Sequence, residues 1–159
     1  MAWSFQLSAE CGDDRNRSLS FANHFEGLSW VLTDGIRSVC ASSTHCDPEG
    51  NWWVIVCPTG ISRSGVSGQT AANQLTEVGN LLYKRLRTAS TFRYAIVGVE
   101  SDEFRRFSEL DEDLLVLPFD GLVVSDQIWK RLGSPHIFVP FSTGYYWRPY
   151  KGEKPPQET

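Results

Sequence analysis

Between residues 71 and 86 the apolar side chains Ala71, Leu75, Val78, Leu82 and Leu86 recur at steps of four, three, four and four. That stride keeps one helix face apolar for about four turns. No other segment sustains it for as long. A helix with a single apolar stripe needs a flat apolar surface to cover, and the flanking segments read as strands. Lys84, Arg85 and Arg87 fall in the last turns, where cations suit the helix dipole. Gly79 interrupts the pattern and is expected to weaken the helix by about 1 kcal/mol relative to alanine.

The first third alternates apolar and polar residues over 3–7, and residues 11–20 read as polar and turn-like. Strand patterns at 29–32 and 36–41 flank Thr33-Asp34-Gly35, a hairpin signal. A second turn over 47–51 leads into the apolar strand 52–57. After the long helix, 92–99 reads as a buried strand. Ser101 is expected to cap a short helix carrying Phe104, Phe107 and Leu110. A strand at 114–117 follows. Ser125 caps a further helix with Ile128, Trp129 and Leu132 inward and Gly133 as its stop. A strand at 137–139 and an aromatic loop or edge strand over 142–150 complete the domain. The expected fold is α+β: a mixed, largely antiparallel sheet with an N-terminal meander, one long helix and about two short ones. Connections in the second half are long enough for crossovers, so some parallel pairing is expected there. Residues 1–150 are expected to form one domain and 151–159 a loose, polar tail.

Composition narrows the function classes. Hydrophobic residues make up 41% and charged residues 21%, as in an ordinary globular chain. Net charge is −4, and the basic residues are scattered without a stripe, which argues against nucleic acid. No apolar run approaches the roughly 18 residues of a membrane span. The first ten residues lack the cationic and apolar parts of a secretion signal, so a cytoplasmic location is expected. The four cysteines Cys11, Cys40, Cys46 and Cys57 then read as reduced thiols. No pattern calls for a cofactor.

The segment with a definite reaction attached is Cys57-Pro58-Thr59-Gly60-Ile61-Ser62-Arg63-Ser64-Gly65, between a strand and a helix. A helix start and a nearby arginine lower a thiol's pKa, and successive amides in a turn form an anion nest. The pattern Cys57-x-x-Gly60-x-x-Arg63-Ser64-Gly65 resembles the phosphate-binding loop of the cysteine-dependent protein tyrosine phosphatases, over these residues alone. The resemblance implies Cys57 as nucleophile, Arg63 as phosphate clamp and Ser64 as a donor that helps the thiolate depart. A leaving group also needs an acid. Asp34, Asp47 and Asp120 are the candidates, none at the family's position.

Other constellations carry less. Cys40, His45 and Cys46, beside Asp47, are ligand types for zinc, with Cys57 or Cys11 to complete a set, but the spacing is not a usual one, and no metal site is assigned. A cysteine-protease pairing would need His24, His45 or His136 beside Cys57. Trp53, Tyr145, Tyr146, Trp147 and Arg148 are the candidate binding residues, because Trp, Tyr and Arg most often anchor protein contacts. The expectation is a small non-catalytic protein that binds a protein partner, such as an immunity-like inhibitor or an adaptor. The alternative is a cysteine phosphatase.

Overall fold

The computed structural model describes residues 5–61, 68–89, 91–99, 101, 105–110 and 119–154. Their order is β1 (Phe5–Glu10), α1 (Arg15–Phe25), β2 (Ser29–Val31), β3 (Arg37–Cys46), β4 (Trp52–Pro58), α2 (Gln69–Leu86) and β5 (Tyr94–Val99). A 3-10 turn (Phe107–Glu109), β6 (Val123–Ser125), α3 (Asp126–Arg131), β7 (Val139–Ser142) and β8 (Tyr145–Trp147) follow. The eight strands form one sheet in the order β2-β3-β4-β1-β5-β6-β8-β7. This is the α+β class expected.

Every described pairing is antiparallel, so among the described residues the parallel pairs expected in the second half are not formed. The reason lies in β1. It pairs with β4 on one side and β5 on the other, antiparallel to both. β4 and β5 therefore point the same way and α2 joins them as a crossover, but β1 stands between them. The meander is confined to β2, β3 and β4. The hairpin at Thr33-Asp34-Gly35 forms as expected, with Gly35 at φ +85°.

Two elements differ from the sequence reading, one near each end of the chain. The segment 11–20 is not only a turn, because α1 begins at Arg15. Asp14 caps it, its carboxylate accepting from the Asn16 N–H at 2.9 Å, and Ser18, Phe21 and Phe25 form the buried stripe. Two buried apolar side chains in eleven residues are too few to stand out by periodicity. The aromatic segment near the end is an interior strand: β8 lies between β6 and β7. Ser125 caps α3 as expected, accepting from the Ile128 N–H at 3.3 Å. The expected strand over 114–117 and the first turn of the helix after Ser101 lie outside the described residues.

One sheet face carries the main core. Leu7 and Ala9 of β1, Val54 and Val56 of β4, and Ala95 and Val97 of β5 meet Phe21 and Phe25 of α1 and Leu75, Val78, Leu82 and Leu86 of α2. Tyr83 ties α2 to the sheet: its hydroxyl donates to the Gly121 carbonyl at 2.7 Å and accepts from the Val97 N–H at 3.1 Å. A second core forms on the opposite face from Trp53, Tyr94, Leu110, Leu122, Val124, Ile128 and Phe138.

Gly79 has a packing reason. Tyr150 rests against it, 5.0 Å from the Tyr83 ring, and a Cβ built at Gly79 would stand 2.6 Å from the Tyr150 hydroxyl. Beyond Tyr150 the chain stays attached. The Glu153 N–H donates to Thr76 Oγ1 at 2.8 Å and its carboxylate accepts from Tyr150 at 2.7 Å. Residues 151–154, expected to be loose, thus lie along α2. Burial pushes the Glu153 carboxyl above its ordinary range, against the opposing effect of the Tyr150 hydrogen bond.

Gly79→Ala is therefore expected to lower thermal stability, by about 1–3 kcal/mol, although alanine is the better helix former. In a Tyr150→Ala background the same substitution should raise stability by about 1 kcal/mol. Thermal denaturation of the four combinations reads the change of sign.

Candidate functional site

The pleat sends alternate residues of each strand to opposite faces. With Leu7 paired to Val56 and Ala9 to Val54, Ser8 and Glu10 share the second face with Ile55 and Trp53. Tyr94 and Ile96 join them from β5, and Ser43 and His45 from β3. One step further along lie Ala41 paired with Cys57, and Gln6 paired with Gly98. This face carries the polar residues of the sheet centre. Gln6, Ser8, Glu10 and Ser101 are all buried.

At the closed end Glu10 has no exposure at all. Its carboxylate accepts from the Gly12 N–H at 2.6 Å and from Arg93 Nε at 2.7 Å, and Arg93 Nη2 completes a bidentate pair. The guanidinium lies 3.8 Å from the Phe107 ring centre, which covers it. Burial pushes Glu10 upward and Arg93 opposes that. Nearby, Asp47 takes the Trp53 indole N–H at 2.8 Å and two turn amides, from Glu49 and Asn51. Trp53 stacks edge-on against Tyr94 at 5.6 Å. These groups are mutually satisfied and buried, which is the signature of a structural network.

Cys57 lies at the other end, half-buried within β4. Its Sγ lies 3.7 Å from Gln6 Oε1. The Ser101 hydroxyl bridges beside it, donating to the Gln6 carbonyl at 3.2 Å and lying 3.1 Å from Ser8 Oγ. The strand does not end at the cysteine. Pro58 pairs with Cys40, and the Thr59 N–H donates to the Val39 carbonyl at 2.9 Å. Of the first two positions of the expected anion cradle, one has no N–H and the other spends it on β3. Gly60 then turns at φ +77° against β3, where a Cβ would meet the Arg37 carbonyl oxygen at 2.7 Å. α2 begins only at Gln69. Arg63 and Ser64 lie outside the described residues.

The acid candidates stand apart from Cys57. Asp34 occupies the β2–β3 turn, accepting from the Ile36 N–H and from Gln74. Asp47 is committed to Trp53. Asp120 precedes β6, three strands from β4, with Arg148 and Lys151 each 3.8 Å away. The histidines are no closer. His24 on α1 contacts Thr88 Oγ1 at 2.8 Å, on the opposite face. His45 shares the face of Cys57 but pairs with Trp53, four residues along, or about 13 Å at strand spacing. Among the described residues no three His, Cys, Asp or Glu side chains converge as metal ligands. Cys40 points into the main core and His45 to the other face.

The aromatic binding candidates are engaged internally. Trp53 is fully enclosed and offers a partner no surface. Tyr145 stacks on Phe92 at 4.2 Å and donates to its carbonyl at 2.8 Å. Tyr146 stacks on Trp129 at 3.9 Å. Trp147 packs on Tyr83 at 5.2 Å beneath the guanidinium of Arg87. Arg148 is mostly covered beside Asp120. The density of rings near the end of the chain is the packing of β8 between its neighbours.

The surface that sequence reasoning missed is the second face at the β2–β3 end. Val31 is 73% exposed, Ala41 and Ser43 are exposed, and Val39 and Cys57 are half-exposed. Small residues on a strand give little signal, because their exposure depends on what covers the sheet. Over β5 to β8 the second face is covered by Leu110, Leu122 and α3, and among the described residues no element lies over the β2–β3 corner.

Two measurements check this electrostatic picture. Burial pushes the Cys11 and Cys40 thiols up to about 12, while Cys46 is exposed. Iodoacetamide at neutral pH should alkylate Cys46 first and leave Cys11 and Cys40 unmodified in the folded protein, as read by peptide mass mapping. Arg93→Met strands a buried carboxylate and should cost about 3–5 kcal/mol, most of it regained on adding Glu10→Met, in denaturant titrations.

The chain matches no protein-family model, and no curated protein or solved structure shows significant similarity to it.

Proposed function

We propose that this protein acts by binding a protein partner, as an inhibitor or adaptor, rather than by catalysis. The observation that carries the reading is the uneven covering of the sheet. Its first face is filled by α1 and α2 and its second face by α3 and its neighbours, yet the β2–β3 corner of the second face presents Val31, Val39, Ala41 and Ser43 outward. A flat strand surface of small and β-branched side chains approaches another protein closely at little cost in side-chain entropy. The reaction chemistry points the same way. Neither Pro58 nor Thr59 offers an N–H to an anion beside Cys57.

The phosphatase reading rests on the spacing from Cys57 to Arg63. It predicts turnover of p-nitrophenyl phosphate that Cys57→Ser abolishes, and that result would replace the binding reading. The binding reading predicts no turnover. It further predicts that Ala41→Arg with Ser43→Arg weakens a partner recovered by affinity capture by about tenfold or more at unchanged melting temperature. Tyr146→Phe should leave that affinity unchanged. A partner that binds the arginine variant as well as the wild type removes this face from consideration.

A further inference from the structure

The two edges of the sheet are built differently. At one end β7 carries Pro140, which has no N–H to offer, and its ladder shifts register between Pro140 and Ser142. Proline and irregular register both discourage a further strand from adding there. At the other end β2 has neither device. The Leu28 carbonyl accepts from the Cys40 N–H at 2.7 Å, and the Leu32 N–H donates to the Ile36 carbonyl at 2.8 Å. Even-numbered residues thus face β3, and the N–H and C=O groups of Ser29 and Val31 turn outward. Among the described residues nothing pairs with them, and Val31 is the most exposed large apolar side chain of the described residues.

The groove between this edge and α2 has a charge order. Near Leu28 and Trp30 it is lined by Lys84 and Arg85. Near Thr33 it is lined by Asp34 and Glu77, and Lys84 also borders the stretch between the two. Trp30 lies midway. A second copy laid antiparallel, about a two-fold axis at Trp30, would set Ser29 against Val31 of the other chain twice over. Both outward N–H groups and both outward carbonyls of each chain would then be paired. The same rotation brings the Lys84 end of one groove to the Glu77 end of the other. An arrangement that is complementary to itself under a two-fold rotation is what an isologous contact requires.

We infer that β2 is a self-association edge, through which two copies of this chain join their sheets into one. The interface is short, so it is a weak and reversible one, populated at about tens of micromolar and above. It shares Val31 with the proposed partner face, but Lys84 and Glu77 belong to α2 on the opposite side of the sheet, so the charge exchange reads this edge and Ala41→Arg with Ser43→Arg reads that face. Failure of one proposal leaves the other standing.

Sedimentation equilibrium of the whole chain, with thermal melts of each variant, tests it. A monomer–dimer equilibrium is expected, weakening as salt screens the groove charges. Val31→Pro removes an outward N–H and should raise the dissociation constant about tenfold or more. Lys84→Glu should do the same by placing like charges together, and adding Glu77→Lys should restore the dimer. That rescue is independent of any effect of proline on β2 itself. A monomer at all concentrations to about 1 mM overturns the inference. So does a dimer indifferent to Val31→Pro and to the charge exchange, or a monomer that instead accepts an unrelated extended peptide at this edge.

Discussion

The insertion of β1 between β4 and β5 is the constraint on which the structure depends. A crossover helix such as α2 normally delivers the chain to a strand beside the one it left. Here that position is filled by the N-terminal strand, hydrogen-bonded to both neighbours along its length. The consequences spread outward. β1 must be covered on both sides, so its alternation of Phe5, Leu7 and Ala9 with Gln6, Ser8 and Glu10 buries polar groups as thoroughly as apolar ones. Each of those groups then needs an internal partner, because an unsatisfied one would cost about 1–3 kcal/mol. Arg93 answers Glu10, and Ser101 answers both Ser8 and the Gln6 carbonyl. The residues that answer flank β5, one just before it and one just after, more than eighty positions away in sequence. The ends of the chain segment are thereby locked together.

That long-range dependence explains what the sequence could and could not reveal. Signals with a local cause were legible. Asp34-Gly35 forms its hairpin, Ser125 caps α3, Gly133 ends it at φ +90°, and the Ala71-to-Leu86 stride forms α2. Signals whose meaning depends on a distant partner were not. FQLSAE has the alternation of a half-exposed strand, and nothing within it says that both faces will be covered. Gly79 reads as a weak point until Tyr150 is known to lie against it. The cluster Tyr145, Tyr146 and Trp147 has the composition of a contact surface, but β8 lies inside the sheet order, and its rings meet Phe92, Trp129 and Tyr83. α1 was obscured for a different reason. Its mean character is polar, and only Ser18, Phe21 and Phe25 face the core.

The segment around Cys57 shows how far a short motif depends on its frame. A nucleophilic thiolate at a strand end draws on amides released from the sheet and on the positive end of a helix. Those conditions require the ladder to stop at the cysteine. In this chain it runs on through Pro58, and Thr59 remains tied to Val39 by both its N–H and its hydroxyl. The antiparallel neighbour β3 is the reason. The hairpin keeps β3 beside the strand past Cys57, so the Thr59 amide meets the Val39 carbonyl. The same neighbour makes the corner flat, and a flat strand surface suits contact with another protein better than enclosure of a small substrate, which needs concavity.

Edge and face at the β2 end are two consequences of one shortfall. The segments after β5 cover the second face from β5 outward, and α1 and α2 cover the first, which among the described residues leaves the corner formed by the first hairpin with one side dressed. β2 has only three residues, and short edge strands are a common protection against indiscriminate pairing. Three residues are enough for one symmetric register and too few for several alternatives. The ordering of Lys84 and Arg85 at one end of the neighbouring groove and Asp34 and Glu77 at the other adds a second condition, since a strand presented in the wrong direction would place like charges together. Length and charge thus restrict what this edge accepts, whereas the opposite edge is guarded by Pro140 and its irregular register. A protein whose two sheet ends are treated so unequally has kept one of them available.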